Sequence, residues 1–401
     1  LSSFSSAFSG YRELPQLVGY PYLVISFFGR LPTAMIIIGV LTLIVASTGS
    51  VAVAAYCSAG FAIANGIGNV LIGRLTDRFG QRTPLLLIAP LNVFFILLLV
   101  WLAPRQPATA SLVANAAAVG ITTCPIGPLA RVRWYPIASR KQLPAAMSWE
   151  TVNDELVFVL GPAAVGIIAA ALSPAAPMIL AAIIVGTCVI PFALSKHARG
   201  PSINDDGSPS PSFGTILRHT RTPLLSMVFM GMFFGAMQTT VTAFAESNGL
   251  EGLGGLIYAF MGLGAAITAL IAVALPARFT FVARIFVGGL GLLIGAAACS
   301  LATSGITLAA LVFFAGIFIG PIGVSIFTLA GKWAPKGGDG VANTAIVSAN
   351  VLGVAAASAL IGNILESNID FGFFAAALCG LGIAVVAATA GRADQRAFAA
   401  R

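Results

Sequence analysis

Glu150, Asp154 and Glu155 stand within six residues of one another in a stretch, 146–172, that is otherwise largely apolar. On a helix Glu150 and Asp154, four apart, share a face, and Glu155 is turned by about 100° from Asp154. Counted from Ala145 at about 1.5 Å per residue, Glu155 lies about 15 Å along that helix, deep enough to leave water in a membrane. Carboxyls this close resist ionising together, which suits a group that must gain and lose a proton. Arg30 lies in another apolar stretch, and Arg131 and Arg133 end a third, across a short loop from Glu150. These cations would instead hold the acids in structural ion pairs. Glu150, nearest the arginines, is expected in such a pair. Asp154 and Glu155 are the candidates for proton coupling or substrate binding, Glu155 foremost because it is deeper.

The elements that must position these groups are membrane-length. The chain has 401 residues, 58% hydrophobic and 8% charged, against the ~25% charge of a soluble domain. A bilayer-spanning helix needs about 20 mostly apolar residues. Twelve such stretches follow: 21–46, 51–73, 84–103, 108–130, 146–172, 174–195, 224–245, 252–275, 284–302, 305–330, 341–365 and 370–390. The fold class expected is an all-α membrane protein. A polar stretch containing Asn-Asp-Asp-Gly-Ser-Pro-Ser-Pro-Ser cannot bury enough apolar area to fold alone. It divides the chain into an amino-terminal bundle of six spans (1–195), a linker (196–223) and a carboxyl-terminal bundle of six (224–401). Duplicated halves are a common build for secondary transporters, with the substrate site between them near the midplane.

The net charge of +8 does not point to nucleic acid, because its distribution follows topology. With the amino terminus cytoplasmic, 19 of the 21 Lys and Arg fall on that side, leaving Arg105 outside and Arg30 within the first span. That bias places both termini in the cytoplasm, in a membrane expected to be a bacterial inner membrane, and favours contact with anionic lipid. Cys57, Cys124, Cys188, Cys299 and Cys379 all fall in apolar spans without C-x-x-C spacing and read as core residues. Both histidines, His197 and His219, lie in the linker. The spans therefore hold no Ser–His or His–metal constellation, and no enzyme, cofactor or metal site is expected. No basic segment followed by a short apolar core precedes residue 21, so no cleavable signal is expected.

Other intramembrane polar residues give direction to a substrate cavity: Asn65, Asn69, Asn153, Gln238, Asn343 and Asn350 could face it or bond between helices. Gly66-Ile-Gly68, Gly252-Leu-Gly254 and Gly262-Leu-Gly264 lie in or beside spans and read as helix packing, not dinucleotide binding. Past the acids, Gly161-Pro162 removes a backbone hydrogen bond and bends the helix. Spans 7 to 12 carry no acid or base well inside the membrane, which suits a neutral, amphiphilic or weakly cationic substrate.

Between the second and third spans lies Gly73-Arg-Leu-Thr-Asp-Arg-Phe-Gly-Gln-Arg82, a charge cluster on a short turn between antiparallel helices. It resembles the loop signature G-x-L-a-D-r-x-G-r-K/R of the major facilitator superfamily of transporters. Gly73, Leu75, Asp77, Arg78, Gly80 and Arg82 match, while Thr76 and Gln81 differ from the commonest choices. Pro276 to Arg284 is a reduced echo in the second half, keeping Arg278 and Arg284 but no Asp or Gly. The resemblance implies twelve helices in two pseudo-symmetric six-helix bundles, and a loop that latches the cytoplasmic side and gates alternating access. Physically, Asp77 can accept from a helix N-terminus, Arg78 and Arg82 can reach headgroups, and the glycines permit the turn. Gly161, Pro162 and Gly166 partly match the motif G-x-x-x-G-P-x-x-G-G of twelve-helix drug–proton antiporters, with Val157 and Val165 where glycines are expected. The apolar part of span 4 lacks the arginine many of those antiporters carry.

The function expected is proton-coupled export of small amphiphilic or drug-like compounds by a monomer, with small molecules, protons and lipids as its partners. A sugar or metabolite carrier, and a lipid flippase using Arg30, Arg131 and Arg133 as a headgroup site, are the alternatives.

Overall fold

The structure is a computed structural model that describes residues 2–139, 141–200, 211–250, 253–276, 278–365 and 369–399, with side chains described for these apart from 2–9, 51, 362–365 and 391–399. Most of the linker's Ser-Pro run therefore lies outside the described residues.

Twelve helices are long and apolar enough to cross a bilayer: Tyr20–Thr48, Ala52–Phe79, Arg82–Arg105, Thr109–Ile137, Leu143–Ala171, Ala176–Leu194, Arg221–Ser247, Gly254–Ala274, Phe281–Cys299, Gly305–Trp333, Asp339–Ile361 and Asp370–Ala390. They are spans 1 to 12 in that order. Among the described residues there is no strand, and a further helix, Ser2–Val18, precedes span 1. Local chemistry sets several starts. The Ser50, Thr280 and Ser304 hydroxyls accept the N–H of Val53, Ala283 and Thr307, satisfying helix donors that have no partner of their own.

Two apolar cores form. One gathers spans 1 to 6 around Met35, Leu99, Trp134 and Phe192 and takes in Ala269 and Ala272 of span 8 and Val324 of span 10; the other gathers spans 7 to 12 around Phe233, Leu292, Val312 and Phe373. The same crossing recurs in each. Spans 2 and 4 touch where a Cβ on Gly68 would strike the Ile121 backbone and one on Gly120 the Phe61 carbonyl. Spans 8 and 10 touch where Gly264 faces the Phe313 carbonyl and Gly316 faces that of Met261. Small residues let helices approach to backbone contact in lipid, where packing replaces the hydrophobic drive. The all-α, twelve-helix expectation is met.

Two sequence expectations are corrected. Span 4 does not end near residue 130: its helix breaks at Thr123–Pro125, restarts at Ile126 and continues to Ile137. Arg131 and Arg133 are thus buried within the helix instead of standing at its end. Hydropathy read an end where buried carboxylates and aromatic rings in fact receive the charge. Second, the charged motif is mostly not a loop. Span 2 stays helical to Phe79, and the turn itself is only Gly80–Gln81.

Candidate functional site

Both arginines facing the span-5 acids stand at or after a helix break. Span 1 is interrupted at Gly29–Arg30, ahead of Pro32, and span 4 at Thr123–Pro125. Proline removes a donor and disfavours helix in the residue before it, so the chain re-aims at both points. The breaks turn Arg30 and Arg131 onto the face of span 5. Gly127 completes the space, since a Cβ there would stand 3.1 Å from Asp154 Oδ1 and 3.6 Å from Arg131 Nη1.

Arg30 forms an ion pair through Nη2 with Glu150 and donates through Nη1 to Asp154 Oδ1 at 3.0 Å and to the Glu150 carbonyl at 3.1 Å. Arg131 Nη2 meets Asp154 Oδ2 at 2.5 Å. Trp134 Nε1 donates to Glu150 Oε1 at 2.6 Å. Two guanidiniums thus meet two carboxylates and the cluster is neutral, the condition under which charge survives burial. Glu150 is 1% exposed and Asp154 28%, so Asp154 is the acid of this cluster that solvent or a solute can touch. The Arg131 guanidinium also lies 3.6 Å from the Phe327 ring centre in span 10, across the boundary between halves. Its Nε and Nη1 have no hydrogen-bond partner among the described residues.

Glu155 stands apart from this network. Ser148, Thr151, Glu155 and Val159 fall at intervals of three and four and share one face of span 5. Ser148 Oγ donates to the Ala269 carbonyl of span 8 at 2.7 Å. A Cβ on Gly323 of span 10 would stand 3.2 Å from Thr151, and one on Gly262 of span 8 would stand 3.1 Å from Val159. Glu155 therefore lies in the seam between the halves. It is half-buried and, among the described residues, has neither a hydrogen bond nor an ion pair.

The pseudo-symmetric seam joins spans 2 and 11. Ser348 Oγ donates to the Gly66 carbonyl at 2.7 Å, and the Asp77 carboxylate accepts the Gly340 and Val341 N–H groups at 2.9 Å each. Gly73 serves contact and not the turn: a Cβ there would collide with the Thr344 hydroxyl. Gly80, at φ 77°, does serve the turn, in a conformation glycine adopts without penalty. Tyr135 of span 4 donates its hydroxyl to the Phe327 carbonyl and accepts from Asn343, both at 3.3 Å. Tyr11 of the leading helix donates to the Leu270 carbonyl at 2.8 Å. All these hydrogen bonds between halves fall in the part of the bundle nearer the Gly80 turn.

The other sequence candidates divide. Arg78 and Arg82 are exposed and take no part in the latch. Asn65 and Asn69 are buried and bond each other at 3.1 Å, and Asn153 is buried with its Nδ2 unpartnered among the described residues. Asn343 is buried in the closed seam, Asn350 reaches Met227, and Gln238 is exposed. Gly161 packs on Ala34 of span 1, whereas Gly166 faces open space, so the span-5 motif acts in packing at one end only.

Sequence reading missed Gln81 and Arg199. Buried Gln81 donates to the Leu129 carbonyl at 3.1 Å, accepts from Arg133 Nε at 2.6 Å, and donates its N–H to the Arg199 carbonyl at 2.8 Å. Arg199, at the head of the linker, then reaches Asp339 at 2.7 Å. Gln81's only signal was that it differed from the usual residue at its place in the motif.

Comparison with known proteins agrees with this architecture. Solved structures of similar fold include the human organic anion transporter MFSD10 (TETRAN), with TM-score 0.69, 16% identity, and coverage of 91% of this chain and 98% of that one. The transporter FucP in an outward conformation gives 0.68, 14%, 92% and 98%. A bacterial homologue of the iron transporter ferroportin, in an outward-facing state, gives 0.66, 14%, 92% and 98%. At these identities the likeness is one of fold. No curated protein matches the sequence. The profile of the Major Facilitator Superfamily matches residues 23–358, most of the chain, and the protein therefore belongs to that superfamily as an integral multi-pass membrane protein and a secondary transporter.

Proposed function

We propose that the protein exports small amphiphilic compounds in exchange for protons, with Glu155 as the proton-carrying group. The observation that carries this reading is the contrast between neighbouring acids. Asp154 is held by two arginines, whereas Glu155 makes no ion pair among the described residues and lies in a seam that must part when the halves move. A carboxyl in that place meets water only when the seam parts, so its access to protons follows the conformation.

On the positive-inside bias the Gly80 end is cytoplasmic, which makes this the state closed to the cytoplasm. Residues 1–195 and 224–401 then rock as two bodies about a central site, joined by 196–223. Both termini lie in the cytoplasm of, we infer, a bacterial inner membrane. Among the described residues, the charges of spans 7 to 12 lie within four residues of a span end. The second half thus offers the substrate apolar and neutral surface. A flippase reading is disfavoured by the engagement of Arg30 and Arg131 with carboxylates and of Arg133 with Gln81 and the Phe192 carbonyl.

Proteoliposomes with an acidic interior provide the test. Ethidium should accumulate with the pH gradient, and Glu155→Gln should abolish accumulation while still binding ethidium. Unimpaired gradient-driven uptake by that variant would remove Glu155 from the mechanism.

A further inference from the structure

Beyond the transport path, a cavity of about 250 Å³ lies between the start of span 1 and the end of span 6. Pro21, Ile25, Pro191 and Phe192 form its apolar wall, and Lys196 and His197, just past the end of span 6, also line it. The surface beside it is apolar and exposed: Tyr20, Val24 and Phe28 repeat every fourth residue along span 1, and Leu194 ends span 6. A stripe of that kind at a span end meets lipid, so the cavity opens where acyl chains give way to headgroups.

One exposed cation, Lys196, borders it, with His197 and Arg133 beside it. Among the described residues, His197 Nε2 is buried without a hydrogen-bond partner, as is Arg133 Nη2. The Arg133 guanidinium lies 3.5 Å from the centre of the Phe192 ring, behind the apolar wall, and donates to the Phe192 carbonyl at 3.0 Å. Burial, and after it the charge of Lys196, holds the His197 imidazole below the usual histidine range. A buried guanidinium nitrogen without a partner is costly, and the positive charge of Lys196 at this level is satisfied most directly by phosphate.

We propose that this cavity is a binding site for an anionic phospholipid, whose phosphate sits between Lys196 and His197 and whose glycerol and first methylenes lie on the Pro21–Phe192 wall. The site holds the head of the linker against the bundle two residues before Arg199, which contacts both the Gly80 turn and Asp339. The apolar wall favours a lipid over free phosphate, though both offer the same anionic oxygens.

Native mass spectrometry of the full chain, titrated with phosphatidylglycerol or phosphatidylcholine, tests the assignment. The first phosphatidylglycerol should bind more tightly than phosphatidylcholine. Lys196→Ala should weaken it about fivefold, the worth of one basic side chain at an anionic surface. His197→Ala should weaken it as well, whereas Arg218→Ala, at an exposed cation elsewhere on this face, should leave it unchanged. Melting temperatures would establish that the variants are folded. Equal affinity for the two lipids, or unchanged phosphatidylglycerol binding in both cavity variants, would overturn the proposal. Displacement of the lipid by millimolar inorganic phosphate would also overturn it, in favour of a soluble-anion site.

Discussion

Asp77 in span 2 caps the first turn of span 11: its two carboxylate oxygens accept the N–H groups of Gly340 and Val341 at 2.9 Å each. These donors have no partner within their own helix, and the positive end of the helix favours the negative charge. A Cβ on Gly340 would collide with the same carboxylate, so the capping geometry requires both residues.

Asp77→Asn and Gly340→Ala should therefore open this face. Loss of a buried hydrogen bond to a charged group is worth about 1.5–3 kcal/mol, enough to shift a two-state population by tenfold or more. Spin-label distances between the ends of spans 2 and 11 at the Gly80 side should lengthen in both variants. Unchanged distance distributions would mean that the closed state does not depend on this cap.

Arg199→Ala should have the same sign and a smaller size. Its pair with Asp339 is partly exposed, and such pairs contribute about 0–1 kcal/mol. Alkylation of a cysteine placed in the seam should be faster than in the parent and slower than in Asp77→Asn. A rate matching Asp77→Asn would make the linker contact an equal partner in the latch.

Gly73 makes a steric prediction. Gly73→Ala should lower the melting temperature, because its methyl meets the Thr344 hydroxyl, and adding Thr344→Ala should recover part of the loss. Such coupling between touching residues is the expected signature of direct contact. If the double variant is no more stable than Gly73→Ala alone, the clash lies elsewhere.

Glu150 and Asp154 should differ in stability although both pair with Arg30. Removing one partner of a buried pair costs about 3–5 kcal/mol, because the other charge is left unpaired. Glu150→Gln should approach that range, since Glu150 is almost wholly buried. Asp154→Asn should cost less, since water reaches Asp154 and can take over part of its role. Thermal unfolding in detergent distinguishes them, and the reverse order would contradict the burial seen here.

The twelve spans were legible because their apolar length is dictated by the bilayer. The acids of span 5 were legible because charge is rare in such segments. The placement of Arg131 and Arg133 was not legible, since hydropathy alone cannot distinguish a span that ends from one whose charges are neutralised by a neighbouring helix. Gly73 was assigned to a turn because sequence does not show the span 11 backbone arriving beside it. Glu155 was favoured for its depth. The face it shares with Ser148, Thr151 and Val159 acquires meaning only once spans 8 and 10 are in place.

Proton release on ligand binding tests the central claim most directly. Protein in weak buffer, titrated with tetraphenylphosphonium, should bind it and release protons, Asp154→Asn should still release them, and Glu155→Gln should bind without release. Release that persists in Glu155→Gln, or binding to the parent protein without release, would contradict proton exchange through Glu155.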